Sequence, residues 1–120
     1  MRKMLLAAGL AVAVAVGAAA QGQVYKIRDE RVVAPVVIKE VKPSYTEGAM
    51  RRKVQGVVEM TTVVRENGKP DTIEIVRSLD PELDGQAIEA LRQWEFKPGT
   101  LDGKPVNVSV NIEMTFTLRK

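Results

Sequence analysis

Residues 106–118 read VNVSVNIEMTFTL, with every even position apolar (Val106, Val108, Val110, Ile112, Met114, Phe116, Leu118) and every odd position polar. Successive side chains of a strand point to opposite faces, so this run predicts one long strand with a buried face and a wet face. Working backwards, residues 57–65 alternate too: Val58, Met60, Thr62 and Val64 point one way, and Val57, Glu59, Thr61 and Val63 the other. Glu66-Asn67-Gly68-Lys69 follows, and an Asn-Gly pair suits the two positive-φ positions of a type I′ hairpin turn. A return strand over residues 72–77 sets Ile73 and Ile75 on one face, opposite Glu74.

Two helices complete the pattern. Ser44-Tyr45-Thr46-Glu47 offers a Ser or Thr cap with an acid close behind, leading into a short helix that ends on Arg51-Arg52-Lys53 before Gly56. Cationic residues there are favoured by the helix dipole, so this cluster reads as a solvated helix end. Residues 79–93 form the second helix, with Asp80 as N-cap, Pro81 at the first helical position, and Glu82 and Asp84 in the first turn. Leu83, Ala87, Leu91 and Trp94 make its apolar stripe, widened by Ile88, and Lys97-Pro98-Gly99 stops it. Trp94 and Phe96 read as core.

The order helix–strand–strand–helix–strand is an α+β fold over residues 41–120. A hairpin followed by a right-handed crossover gives a three-stranded antiparallel sheet when the last strand pairs with the first, in the order 2-1-3. Both helices then cover one face, the one lined by the even residues of the last strand.

The start of the chain has a different character. Arg2 and Lys3 precede an uncharged run from Met4 to Val16, closed by Gly17-Ala18-Ala19-Ala20. Residues 1–20 therefore read as a secretory signal peptide cut before Gln21, with a retained membrane anchor as second choice. Residues 21–40 read as a lead-in tether reaching at most ~70 Å. Its apolar patch, residues 32–38, is broken by Pro35 and is at best an edge strand.

Composition excludes several functions. With no Cys there is no lipid attachment site and no disulfide, and with neither His nor Cys a transition-metal site would need carboxylates alone. Without Arg2 and Lys3, the 18 basic residues become 16 against 15 acidic, a net charge of +1, which offers nucleic acid no basic face. Ser44, Ser78 and Ser109 have no His to activate them, and Asp80, Glu82 and Asp84 are accounted for by their place at a helix start. The reading is of a non-enzymatic domain without cofactor or metal.

Several stretches carry a family likeness: Tyr45…Gly56-Val57-Val58, Glu66-Asn67-Gly68-Lys69, Val76-Arg77-Ser78, Leu83-Asp84, Ala87, Ala90-Leu91, Trp94-Glu95-Phe96-Lys97-Pro98-Gly99 and Asp102-Gly103-Lys104-Pro105-Val106. In this order and spacing they resemble the C-terminal domain of TonB family energy transducers, from Val41 to Lys120. The resemblance implies a periplasmic domain that binds an extended segment of an outer-membrane transporter by adding it to the sheet at the last strand. It also implies transmission of force from an inner-membrane complex, with no cofactor and no catalysis. Three departures set this sequence apart from such transducers. A firm anchor is not evident, no long Pro-rich spacer is present, and the Tyr-Pro pair of the family is Tyr45-Thr46 here, with Ser44 where well-known members carry a Gln that meets the partner.

The last strand is the main candidate for function. In the order 2-1-3 it is an edge, and at ~43 Å it outruns its neighbour. Lys104 and Pro105 guard only its start, and residues 107–112 are uncharged. Such an edge invites β-augmentation by a peptide. The candidate partner-binding residues are Ser44, Tyr45, Asn107, Ser109, Val110 and Asn111. The partner is an extended peptide of an outer-membrane transporter or another envelope protein. The alternatives are a homodimer through the last strand, as a structural subunit of an envelope assembly, pairing with residues 32–38, or an anchored short transducer. Membrane contact enters only if residues 4–20 are retained.

Overall fold

The computed structural model describes residues 22–28 and 30–118. The signal peptide expected over residues 1–20 lies outside them. Among the described residues nine strands and two helices follow in order: β1 (Val24–Lys26), β2 (Val32–Val33), β3 (Val36–Lys39), α1 (Glu47–Arg51), β4 (Gly56–Val64), β5 (Pro70–Arg77), α2 (Pro81–Arg92), β6 (Glu95–Lys97), β7 (Thr100–Leu101), β8 (Lys104–Pro105) and β9 (Asn107–Phe116). The fold is α+β, and its main sheet has four strands in the order β1-β9-β4-β5.

A three-stranded sheet was expected; the fourth strand comes from the lead-in. β1 pairs with β9 in parallel, while β9 with β4 and β4 with β5 are antiparallel. Nor does the rest of the lead-in hang free. On either side of Pro35, β2 pairs with β7 and β3 pairs with β6, so residues 32–39 are strapped onto the domain through two further small sheets. Val32, buried opposite Leu101, anchors the strap. The partners β6 and β7 lie far along the chain, where the sequence suggested only a stop signal after α2.

The core sits between the helices and one face of the main sheet. Val58, Met60 and Val64 of β4 and Met114 and Phe116 of β9 meet Ala49 of α1 and Leu83, Ala87, Ala90 and Leu91 of α2. The ladder sets Val58 beside Met114 and Met60 beside Ile112, so the alternation of both strands falls on the same side. Thr62 is buried among them, its hydroxyl donating to the Asp71 carbonyl at 2.8 Å. That carbonyl lies where the β4–β5 register slips, and the hydroxyl supplies a donor there.

The hairpin turn differs from the expected type I′. Gly68 has φ +83°, but Asn67 is not in the positive-φ region. Arg65 donates its N–H to the Lys69 carbonyl at 2.9 Å and accepts from Gly68 at 2.8 Å. This is a three-residue loop with glycine at its left-handed position. The Gly68 carbonyl accepts from Phe96 N–H at 2.9 Å, which docks the turn on β6.

The two helices are tied at their ends. Thr46 caps α1, accepting from Ala49 N–H at 3.1 Å and donating to Glu82. Asp80 caps α2, accepting from the amides of Glu82 and Leu83 at 3.0 and 3.3 Å. Arg52 bridges the two, 2.5 Å from Asp80 Oδ1 and 3.3 Å from Glu82 Oε2. The cluster read as a solvated helix end thus sends one member to the other helix.

The hydrogen bond from Arg52 holds the Asp80 carboxyl below its ordinary value of about 3.8; partial desolvation opposes it, and the Leu83 and Glu82 amides reinforce it. A folded-state pKa below the unfolded one gives stability that is present above the unfolded value and lost as pH falls through the folded one. An Arg52→Met variant is therefore expected to be less stable than the parent near neutral pH, with the gap narrowing as pH drops below about 3.8. Denaturant midpoints of both proteins across that range check it. A gap that stays constant would show that Arg52 acts through packing alone.

Candidate functional site

β9 has two neighbours at its start and one thereafter. β4 lines one side along its whole length, from Gly56 opposite Phe116 to Val64 opposite Val108. β1 covers the other side only at Asn107, Val108 and Ser109. From Val110 to Phe116 the outer margin has no partner strand among the described residues. At roughly 3.3 Å per residue this is ~23 Å of edge whose outward N–H and C=O groups are free to pair.

The opposite margin of the sheet is a poor template. β5 opens on Pro70, and its register slips twice against β4, between Glu59 and Met60 and between Thr61 and Val63. Thr72, beside the second slip, has φ +53°. Bulges of this kind twist an edge and break its row of hydrogen-bonding groups. β9 pairs with β4 without a break, so its free half is straight as well as open.

A cleft of about 390 Å³ lies at the far end of that edge, lined by residues 113–117, by Glu40, Lys42, Pro43 and Tyr45 ahead of α1, and by Trp94. Its β9 residues belong alternately to both faces, and no residue of β4 lines it. The cleft therefore opens along the outer margin of β9. Trp94 fixes its floor: the indole N–H donates to the Val41 carbonyl at 2.8 Å, holding the segment ahead of α1 beside the sheet.

The residues expected to meet a partner separate into two groups. Tyr45 is at the cleft, with its ring edge-on to Phe116 at 5.5 Å and its hydroxyl donating to the Val54 carbonyl. Val110 and Asn111 begin the free edge; the Asn111 amide donates to Glu59 Oε2 at 2.8 Å. Ser44 is exposed next to Tyr45. Asn107 and Ser109 lie under β1 instead. Asn107 is buried, its amide oxygen accepting from Glu66 N–H at 3.1 Å and its nitrogen donating to the Gln23 carbonyl at 3.4 Å. Its side chain ties the hairpin and the lead-in together. Sequence reasoning missed Glu40, Lys42, Glu113 and Thr117. The alternation of residues 106–118 marked the last two as wet, but nothing local marks the first two as neighbours of β9.

Residues 41–118 match the family described as the Gram-negative bacterial TonB protein C-terminal. The chain belongs to the TonB C-terminal family. It is similar to Protein TonB of Vibrio cholerae, 33% identical over 84 residues, which cover 69% of this chain and 34% of that protein. It is similar also to Protein TonB of Xanthomonas campestris pv. campestris, 31% identical over 77 residues, 63% of this chain and 34% of that one. The chain thus spans about a third of the length of these curated relatives. The TonB C-terminal domain of Pseudomonas aeruginosa, solved by NMR in solution, is similar in fold with a TM-score of 0.61 at 20% identity, over 82% of this chain and 98% of that one.

Proposed function

We propose that this TonB C-terminal domain captures an extended peptide of an outer-membrane transporter, or of another envelope protein, by adding it as a strand to β9 from Val110 to Phe116. The setting is the periplasm, reached through the signal peptide read in residues 1–20. The observation that carries the proposal is the asymmetry of the sheet, with one margin bulged twice and the other straight and, among the described residues, unpaired beyond Ser109. Family membership supports a role beside outer-membrane transport, and transmission of force belongs to this proposal rather than to the domain's geometry. No chemistry is asked of the site; its contribution is a pre-formed row of backbone donors and acceptors backed by a rigid core, which lowers the ordering cost of capture.

The test uses a capped heptapeptide of alternating Thr and Val and the mature protein. Adding it is expected to slow amide hydrogen exchange at residues 110–116 at least about tenfold and to leave β5 unchanged, since exchange reports opening of the ladder. A Val110→Pro variant that keeps its thermal transition is expected to bind no peptide, because proline removes a ladder donor and disturbs the strand. Retained binding by that folded variant would end the proposal. So would slowing that grows with protein concentration and ignores the peptide, which would mean that β9 pairs with a second copy.

A further inference from the structure

The free edge is electrically polarised along its length. At its start, where β1 leaves β9, Lys26 and Arg28 line an open cleft of about 550 Å³ shared with Thr61 and residues 109–111. At its far end Glu40 and Glu113 line the 390 Å³ cleft described above. All four side chains are exposed, and none of them has an ion-pair partner among the described residues.

Glu113 is a particular case. It stands directly opposite Glu59 in the β4–β9 ladder, an arrangement of like charges that costs stability. Glu59 finds relief in Asn111 at 2.8 Å and Arg77 at 4.0 Å; Glu113 faces outward without such a partner. A strand added to β9 would set one side chain beside Glu113 at the ordinary cross-strand separation of about 5 Å. Lys42 shares the cleft, so two carboxylates there meet one ammonium, and the balance still favours an incoming cation.

We infer that the peptide taken by this edge carries a carboxylate that reaches Lys26 and Arg28 and, about four residues away, a Lys or Arg that reaches Glu113 and Glu40. The inference rests on β9 being the capture edge. It adds what backbone pairing leaves open. Main-chain hydrogen bonds accept an extended strand in either direction, whereas opposite charges at the two ends of the edge accept the carboxylate only at the β1 end. Direction and partner choice then come from charge, and affinity from the backbone.

The experiment compares four heptapeptides with the same Thr/Val centre and different ends: one acid and one base, two acids, two bases, and no charge. For the parent protein the mixed peptide is expected to bind about three- to tenfold more tightly than the uncharged one, the range open to exposed cross-strand pairs. That advantage should shrink in ~1 M salt. A Glu113→Lys variant, altered at an exposed position, is expected to shift the preference to the two-acid peptide. If mixed and uncharged peptides bind equally while both perturb the amides of residues 110–116, charge does not select and the inference falls with the capture edge intact. If no peptide perturbs those amides, the capture edge itself is wrong.

Discussion

Replacing Trp94 with alanine is expected to lower stability by about 3–5 kcal/mol, the range for a large aromatic side chain removed from a core. The indole is 7% exposed, its ring 6.0 Å from that of Phe96 at a tilt of 39°. It also donates to the Val41 carbonyl, the tie that keeps Glu40 to Tyr45 beside β9. Two losses are therefore combined, and a second variant separates them. Trp94→Phe keeps most of the apolar area and gives up the hydrogen bond, so it is expected to cost about 1–2 kcal/mol. In that variant the segment ahead of α1 should exchange its amides faster than in the parent while the core of β4 does not. Urea unfolding with exchange measured on both variants checks the pair. A loss below about 1 kcal/mol for Trp94→Ala would mean that the indole is surface cladding and the cleft has another support.

The second large effect is expected at Gly68. Its φ of +83° is strained for an L side chain, and an added Cβ would stand 2.2 Å from the Phe96 carbonyl oxygen. That oxygen belongs to a backbone held in β6 and cannot swing aside as a side chain would. Gly68→Ala combines the left-handed cost with overpacking, together about 2–4 kcal/mol. The damage should spread from the turn to β6 and thence to β3, because the Gly68 carbonyl holds Phe96 N–H and β6 holds β3. Faster exchange across β3, far from the substitution in sequence, would show that route. Thermal melts showing no destabilisation would overturn it, since they would require the turn to refold around the methyl group.

How much of this was legible in the sequence depends on where each element's partners lie. The helix α2 begins at Pro81 on its Asp80 cap and runs to Arg92, all inside the expected span, because capping and dipole chemistry are local. The alternation of residues 106–118 announced β9 for the same reason. Of the lead-in, only an edge strand across residues 32–38 was legible, and neither its pairing nor β1 was. Strands of two to four residues carry too little period to register, and what makes β1, β2 and β3 strands is hydrogen bonding to β9, β7 and β6. Asn107 followed from neither rule. It occupies a polar position of an alternating strand, and only the meeting of Glu66 and Gln23 around it turns a wet residue into a buried one. On the site, the free half of β9 was foreseeable and its shortened start was not, since β1 alone decides where it begins.

The double slip of β5 bears on what happens after a first capture. A sheet with two usable margins is a monomer in the polymer chemist's sense: each addition leaves a fresh end, and growth continues into fibres. Here the β5 margin is spoiled, so a strand added to β9 leaves the main sheet no second long, straight margin on which to grow. Two copies joined through β9 would then end on their bulged β5 strands, and the joined sheet would grow no further.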